Sequence, residues 1–261
     1  MDNFFDPKEY WEKRLRENYD LSGVGFAGIG RYYNDWLYRI KKQMFLRQID
    51  LLHLNYHDID VLDIGSGTGF YVEIWQSLGV RSLIGTDITS IAVERLCRKF
   101  PDFDFYQLDV GGSISQFPRK KFDVISAFDV LYHIVDDNRY QQAFENISEM
   151  LLPGGIFIFS ENFIHGETVR APHQVSRSLK DIEHILNSTN FRVRSRVPMF
   201  VLMNYPIDSS RTVLKFLWQG MMMLVNKVEF LGFVIGGLLY PVELVLTSLL
   251  KESPLNRNDG L

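Results

Sequence analysis

The segment VLDIGSGTGF, residues 61–70, decides the fold because it joins the pattern of a buried β-strand to a turn of glycines. Its apolar residues predict a short strand that ends beside Asp63. Glycines at positions 65, 67 and 69 allow positive φ angles and let a ligand lie against the backbone. A helix beginning at about Phe70 would point free N–H groups at that ligand. The segment therefore predicts a nucleotide-like ligand at the carboxyl end of the first strand of a parallel sheet.

The spacing of these glycines excludes two common phosphate-binding motifs. A dinucleotide fingerprint would need its third glycine at position 70, where the chain has Phe70, and no Gly-Lys-Ser/Thr follows to form a P-loop. The motif that is present, D-x-G-x-G-x-G, resembles that of class I S-adenosylmethionine (SAM)-dependent methyltransferases. The resemblance implies an enzyme that uses SAM, releases S-adenosylhomocysteine (SAH), and packs the turn closely against a ligand without phosphate. The cofactor residues that it implies at this turn are Asp63, Gly65, Ser66, Gly67 and Gly69.

Two further predicted strands also end in acids. Asp87 ends a strand over 83–87 and lies about twenty residues past the turn, where an acid can bind ribose hydroxyls. Asp109 ends a strand over 103–110, and by the resemblance it accepts a hydrogen bond from the adenine amino group. Either acid, taken alone, could instead cap the helix that follows it. Because both acids follow the glycine turn along the same sheet edge, cofactor binding is favoured. The remaining residues of the predicted cofactor set are Ile88, Val110 and Phe128.

The second half of the chain continues the alternation of strands and helices. Residues 122–129 and 155–160 read as a fourth and a fifth strand, and the glycine-containing turn LLPGG precedes the fifth. The resemblance covers about residues 59–191. It implies an α/β fold, a doubly wound and mostly parallel Rossmann-like sheet, with N-terminal helices and an apolar helical C-terminal cap. One catalytic domain is predicted, with a helical lid over 1–56, a SAM-binding α/β core over 57–202 and a cap with a polar tail over 203–261.

The end of the sheet departs from the resembled family, whose sheet closes with a hairpin of two strands. Only residues 191–202 read as a closing strand, and the tail over 252–261 is too polar and too short for a buried one. We therefore expect the last strand to be missing or to be replaced by the cap.

Composition bears on the partners of the protein. The chain has 261 residues, is 46% hydrophobic and carries a net charge of −4, which suits one large core and argues against a nucleic-acid partner. Enzymes that methylate the amino groups of nucleic-acid bases usually carry Pro-Pro-aromatic after the fourth strand. Here Asp129 is followed by Val-Leu-Tyr, which also argues against a nucleic-acid acceptor. Residues 1–6 lack the basic residues and the apolar run of a secretory signal, so a cytoplasmic location is expected.

Both ends of the chain are predicted to be helical. A helix begins at Asp6-Pro7, a glycine-broken loop spans 22–30, and a second helix spans 32–52. Aromatic residues here either form a lid that excludes water or only pack the helices together. They are Tyr10, Tyr19, Phe26, Tyr32 and Tyr33.

The stretch over 213–250 is strongly apolar. Its uncharged run over 230–242 is thirteen residues long, well short of the roughly twenty that span a membrane. Pro241 suits the first turn of a new helix, so two short helices are predicted rather than one long one. A cap over the acceptor site is favoured over membrane contact through 213–250, and its methionines suit a lipophilic acceptor.

The chemistry that SAM implies is an in-line displacement of its methyl group by an acceptor atom. The acceptor must lie about 3 to 3.5 Å from the methyl, and a hydroxyl acceptor must also lose a proton to a base. His165 is the preferred candidate, followed by His133 and His173, although each could be a structural histidine. The predicted acceptor is a small molecule of secondary metabolism, at a hydroxyl oxygen of a lipophilic or sugar-bearing compound. Transfer to nitrogen or carbon, and a non-catalytic SAM-binding or membrane-associated scaffold, stay open.

A magnesium site is a further alternative at the ends of the fourth and fifth strands. Asp129 with Glu161 and Asn162 would offer three oxygen ligands on one rim, which suits a hard cation. Asp129 also belongs to the pattern of metal-free relatives, so Mg²⁺ is not expected.

Overall fold

The computed structural model describes residues 5–26, 28–118, 120–251 and 259–260. The helices in these ranges are α1 Pro7–Glu17, α2 Leu21–Val24, α3 Arg31–Asp50, α4 Phe70–Leu78, α5 Ser90–Lys99, α6 Asp137–Met150, α7 Leu179–Ser188, α8 Thr212–Lys227 and α9 Glu229–Leu249. The strands are β1 Asp60–Ile64, β2 Ser82–Asp87, β3 Asp104–Gln107, β4 Phe122–Ala127, β5 Leu151–Glu161, β6 Val169–Ala171, β7 Gln174–Ser176, β8 Val197–Pro198 and β9 Asp259–Gly260.

The central sheet has seven strands in the order β3-β2-β1-β4-β5-β9-β8, and β6 pairs with β7 in a separate ribbon. Strands β1 to β5 are parallel, whereas β9 runs antiparallel to both of its neighbours. The strand order reverses between β1 and β4, and ligands of open α/β sheets bind at such a switch point. The doubly wound α/β class predicted from the sequence is confirmed.

The sheet is covered by apolar residues on both faces. Successive residues of β1 join different clusters, since Val61 packs with Phe45 and Trp75 while Leu62 packs with Phe144. Because neighbouring strand residues point to opposite faces, one cluster lies on each side of the sheet. Helices α3, α4 and α5 supply the first cluster, and α6 and α7 supply the second.

The closing strands differ from the prediction in two respects. The predicted strand over 191–202 is wrong for most of its length, because only Val197–Pro198 pairs, and residues 192–195 are exposed with no surface to pack against. The tail contributes a strand after all, since Asp259–Gly260 inserts between β5 and β8. A two-residue strand needs only backbone pairing, so the polarity of its side chains does not oppose it. The sheet therefore ends in two antiparallel strands, β9 and β8, and has seven strands in all within the described residues.

The N-terminal helices begin largely as predicted. Asp6 caps α1 by accepting hydrogen bonds from the N–H groups of Lys8 and Glu9, with Pro7 in the first turn. The prediction of a loop throughout 22–30 is wrong at its start, because Leu21–Val24 forms the short helix α2, capped by Asp20.

The C-terminal helix α9 runs unbroken for 21 residues with Pro241 inside it, so the predicted break is wrong. Proline at this position removes the hydrogen bond to the carbonyl of Gly237, and its ring crowds the same carbonyl. Packing on both sides of the proline maintains the helix. Gly236 lies against Trp36 of α3, where an added Cβ would be 2.3 Å from the ring atom Cδ1. Beyond the proline, the buried Glu243 accepts hydrogen bonds from the N–H groups of Val201 and Leu202.

Candidate functional site

A cavity of about 430 Å³ opens at the carboxyl ends of β1 to β4. Helix α1 forms its opposite wall with Trp11 and Leu15, and Tyr38 of α3 lines it as well. The volume falls in the range of small-molecule sites. Most of the cofactor residues predicted from the sequence line this cavity, namely Gly65, Ser66, Gly67, Asp87, Ile88, Asp109, Val110 and Phe128.

The glycine turn makes the floor of the cavity and tolerates no side chain at Gly65. Its φ angle is 71°, and an added Cβ would lie 2.2 Å from Cγ2 of Val130. Gly69 does not line the cavity. It caps the start of α4 with a φ of 85°, and an added Cβ there would lie 2.4 Å from the Phe100 ring. Gly65 therefore shapes the site, whereas Gly69 allows α4 to pack on α5.

Asp63 lies beneath the turn rather than in the cavity wall. Its carboxylate accepts hydrogen bonds from the hydroxyls of Ser66 at 2.9 Å and Ser126 at 2.7 Å. Burial raises the pKa of Asp63 to about 6 despite these bonds. Its contacts show that it holds the turn in place, so any effect of Asp63 on a ligand is indirect.

Asp87 holds the same turn from the neighbouring strand. One of its oxygens accepts the N–H of Gly67 at 2.9 Å, and the other accepts the N–H and the hydroxyl of Thr89 at 2.9 and 2.7 Å. Burial raises its pKa. An ionised carboxylate can accept about four hydrogen bonds, which leaves one position for a ligand hydroxyl. The sequence offers helix capping and ligand binding as alternatives for Asp87, and these contacts allow both.

Asp109 is paired with Arg139 of α6, and both side chains line the cavity. The same carboxylate accepts the N–H of Gly111 at 3.1 Å. The sequence pattern gives no sign of Arg139, because it lies thirty positions away on another element.

Two buried hydroxyls that line the cavity have no hydrogen-bond partner in the described part of the chain, those of Thr68 and Tyr71. The Tyr71 ring stacks on Phe128 with centroids 4.5 Å apart, which fixes its position. A buried unpaired hydroxyl costs about 1–3 kcal/mol. Polar atoms of a bound ligand could pair with both groups.

Asp129, an alternative metal ligand in the sequence, lies on the cavity wall and is contacted by two polar side chains. Lys41 Nζ lies 2.5 Å from its carboxylate, and the Tyr132 hydroxyl donates to it at 3.1 Å. Burial lowers the pKa of Lys41, but the charge and hydrogen bond of Asp129 together with Tyr38 exceed this effect, and the net shift is upward. Lys41 comes from α3, so the ion pair links the N-terminal helices to the end of β4.

Of the three candidate histidines, only His133 lines the cavity. Its Nδ1 lies 2.8 Å from the carbonyl oxygen of His173, which can only accept, so Nδ1 carries the proton and Nε2 keeps a free lone pair. Burial lowers the pKa of His133 to about 4. The His173 ring stacks on Tyr10 instead of lining the cavity. His165 is half exposed and contacts Asp208 at 3.2 Å, also away from the cavity.

The alternative metal ligands are engaged with the protein. Glu161 accepts hydrogen bonds from the Tyr140 hydroxyl at 2.8 Å and from the N–H of Asn162 at 3.1 Å, and burial raises its pKa to about 7. The Asn162 amide donates to Ser176 at 2.8 Å. Asp129 is paired with Lys41. Within the described ranges, no group of three or more His, Cys, Asp or Glu residues is arranged to hold a metal ion.

The predicted lid aromatics divide between the site and the packing of the helices. The Tyr19 hydroxyl donates to the carbonyl of Gly67 at 2.9 Å, so this residue fastens the N-terminal segment to the glycine turn. Tyr33 is buried and donates to the Met203 carbonyl at 3.1 Å, while Phe26 packs on Trp218. The cavity wall itself uses Trp11, which the sequence does not mark as a site residue.

The central part of the chain is similar to a known protein family. Residues 62–159 match the protein family described as a methyltransferase domain, Methyltransf_11. The mRNA cap guanine-N(7) methyltransferase of Schizosaccharomyces pombe is 28% identical over 137 residues, which make up 48% of this chain and 37% of that protein. An uncharacterized protein of Haemophilus influenzae is 27% identical over 108 residues, 39% of this chain and 41% of its own length. The chain thus spans about two fifths of the length of these curated relatives.

Solved structures share the fold at low sequence identity. A SAM-dependent methyltransferase from Leishmania major superposes with a TM-score of 0.59 at 17% identity, covering 77% of this chain and 80% of that one. The N-methyltransferase NodS from Bradyrhizobium japonicum, solved with SAH, gives a TM-score of 0.51 at 19% identity, covering 70% and 86%. At these identities the likenesses show a shared fold over 70–77% of this chain.

Proposed function

We propose, from the methyltransferase domain that residues 62–159 match, that the protein transfers the SAM methyl group to a hydroxyl oxygen of a small lipophilic or sugar-bearing metabolite. The observation that carries the proposal is the cavity at the switch point of the sheet. It combines a glycine turn, the acids at or just past the ends of β2, β3 and β4, and two unpaired hydroxyls beneath a covering helix.

The residues of the cavity fit SAM. The cofactor supplies a methyl group on a positively charged sulfur, and cations favour carboxylates and aromatic faces. The wall offers Asp87 and the rings of Tyr38 and Phe128, whereas Asp109 and Asp129 are already paired with Arg139 and Lys41. Asp87 has one position left for a ribose hydroxyl, and the unpaired hydroxyls of Thr68 in the turn and Tyr71 in α4 can pair with other polar atoms of the cofactor. These groups support binding of the nucleoside along the turn.

The enclosure of the cavity supports a small acceptor rather than a polymer. Helix α1 lies over the carboxyl ends of the strands, and its Trp11 and Leu15 add an apolar wall. Ile134 and Val135 continue that wall past the end of β4. Apolar walls of this kind bind lipophilic compounds, while a few polar groups orient them. The net charge of −4 is a further argument against a nucleic-acid acceptor.

His133 is the group that we assign to receive the hydroxyl proton. It lines the cavity, and the carbonyl of His173 holds its ring so that Nε2 carries the free lone pair. Its pKa of about 4 makes it neutral at physiological pH. The acidity of the acceptor hydroxyl rises steeply as its oxygen bonds to the methyl carbon. A weak but well-positioned base can therefore take the proton during transfer.

Replacing His133 with asparagine is expected to lower kcat for a hydroxyl acceptor by about 10²–10⁴-fold, the usual contribution of a general base. SAH release from purified protein, with a panel of hydroxyl and amine compounds, measures the effect. His184→Asn, at an exposed position on α7, is the matched control and should leave kcat unchanged. If His165→Asn abolishes turnover and His133→Asn does not, the base has been assigned to the wrong histidine.

Transfer to nitrogen is the second candidate, and the low pKa of His133 favours it. A neutral amine attacks through its own lone pair and needs no base beforehand. The relative from Schizosaccharomyces pombe is also named as a methyltransferase acting at nitrogen. On this alternative the panel yields turnover with amines that His133→Asn does not reduce. Binding of SAH without turnover on any acceptor would instead indicate a scaffold.

Replacing Tyr71 with phenylalanine is expected to have opposite effects on binding and on stability. Removing its unpaired buried hydroxyl should raise the free energy of unfolding of the ligand-free protein by about 1–3 kcal/mol. If the hydroxyl pairs with the cofactor, SAH affinity should fall by roughly tenfold. Urea unfolding and isothermal titration calorimetry measure the two quantities. Tyr106→Phe, outside the cavity, is the control, and an unchanged SAH affinity for Tyr71→Phe would remove this residue from the cofactor site.

A further inference from the structure

The exposed apolar side chains of the protein are concentrated at its C-terminal end. Of the nineteen large hydrophobic residues that are exposed in the described ranges, thirteen lie between Val213 and Leu249. Twelve of them lie on the two helices, and Val228 lies between the helices. On α8 they are Val213, Phe216, Leu217, Met223 and Leu224, and on α9 they are Phe230, Phe233, Val234, Leu238, Val242, Val245 and Leu249. Apolar patches of this extent are unusual on a soluble monomer and mark a surface that contacts something.

After its first residue, the exposed Glu229, α9 presents no charge on its outer face. Between Phe230 and Leu249 the only ionisable group apart from the hydroxyl of Tyr240 is Glu243, which is 0% exposed. Only 22% of the most apolar part of the helix is buried, so α9 is unlike the core helix of a soluble protein. By length and composition alone it could cross a membrane. Its outer face therefore has the composition of a surface that faces hydrocarbon.

The inner face of α9 is fastened to the rest of the protein. Gly232 and Gly236 allow close packing on Tyr33 and Trp36 of α3, and the Trp36 indole N–H donates to the Phe233 carbonyl at 3.0 Å. Glu243 is held by two backbone N–H groups, as described above. A transmembrane position would pull this carboxylate into hydrocarbon, which is costly. The contacts favour a helix that remains docked on α3 and lies parallel to a surface.

The charges around these helices are complementary to an anionic surface. Residues 211–251 contain four basic residues and two acidic ones, and one of the acids is the buried Glu243. Arg211 and Lys227 are exposed at the two ends of α8, and Lys251 is exposed just past α9. The whole chain, in contrast, has a net charge of −4. A basic margin around an apolar face is typical of helices that lie in the headgroup region of a membrane.

We propose that the outer faces of α8 and α9 dock the protein on the surface of an anionic lipid bilayer, with α9 lying in the plane of the interface. The apolar stripes enter the boundary of the acyl chains, and Arg211, Lys227 and Lys251 contact anionic headgroups. This inference goes beyond the proposed function and does not depend on catalysis.

Flotation of the full-length chain with lipid vesicles tests the proposal. The protein should float with vesicles made of equal parts phosphatidylcholine and phosphatidylglycerol, and less with phosphatidylcholine alone. Leu238→Glu, on the outer face of α9, should lower the bound fraction by at least roughly tenfold, because it removes an exposed leucine that would enter the bilayer and adds a charge there. Lys227→Glu should weaken binding to the anionic vesicles and leave binding to the neutral ones unchanged.

Val193→Glu is the matched control, since Val193 is exposed elsewhere on the protein and should float like the wild type. Circular dichroism and SAH titration verify that each variant is folded, whatever its lipid binding. The proposal is overturned if the wild type fails to float with either vesicle. It is also overturned if the protein is a dimer in solution that Leu238→Glu converts to a monomer, because the face would then serve self-association.

Discussion

Replacement of Gly65 by alanine is expected to weaken SAH binding by at least about 100-fold in isothermal titration calorimetry. The φ angle of 71° at this position costs an L-residue roughly 1–2 kcal/mol. The added methyl group would also lie 2.2 Å from Cγ2 of Val130, so either the turn or Val130 must move. Both line the cavity, and a distortion of about 3 kcal/mol corresponds to a loss of that size.

Two further variants separate the effect of the positive φ angle from that of the clash with Val130. Gly154→Ala carries a similar φ of 81° but meets no described atom within 4 Å, so it should reduce stability slightly and leave SAH affinity unchanged. Val130→Ala in the Gly65→Ala background removes the clashing methyl group and should recover part of the affinity. Wild-type affinity in Gly65→Ala itself would mean that the turn does not hold the cofactor.

The parallel half of the sheet could be predicted from the sequence because its signals are local. Strands β1, β2 and β4 contain short apolar runs, and the acids at 63, 87 and 109 lie within two residues of the end of a strand in the structure. The edge of the sheet could not be predicted in the same way. Strand β9 consists of two residues whose contribution is backbone pairing, and backbone pairing has no side-chain pattern. The continuity of α9 through Pro241 likewise depends on its packing against α3.

The functional site likewise has one part that the sequence predicts and another that it does not. The glycine turn and its acids are contiguous motifs, so their position at one sheet edge follows from the fold. Their partners come from distant elements, as Lys41 of α3 does for Asp129 and Arg139 of α6 does for Asp109. The preference for His165 followed its position after β5, but burial and enclosure distinguish the histidines, and those are tertiary properties. Only the structure shows that His133 lines the cavity.

His133 and Glu161 are expected to affect the pH dependence of stability with opposite signs. Burial lowers the pKa of His133 from 6.5 to about 4. Between these values the unfolded chain binds the extra proton, so this group makes the free energy of unfolding rise with pH. Burial raises the pKa of Glu161 from 4.5 to about 7. Between those values the native state holds the proton, and this group makes the free energy of unfolding fall as pH rises.

Differences between each variant and the wild type isolate these contributions, because other titrating groups cancel. From pH 4 to pH 6.5, the stability of His133→Asn relative to the wild type should fall by about 3 kcal/mol. From pH 4.5 to pH 7, that of Glu161→Gln should rise by a similar amount. Urea unfolding across this range measures both, and His184→Asn should run parallel to the wild type. Parallel curves for His133→Asn would mean that the imidazole has the same pKa in the folded protein as in the unfolded chain.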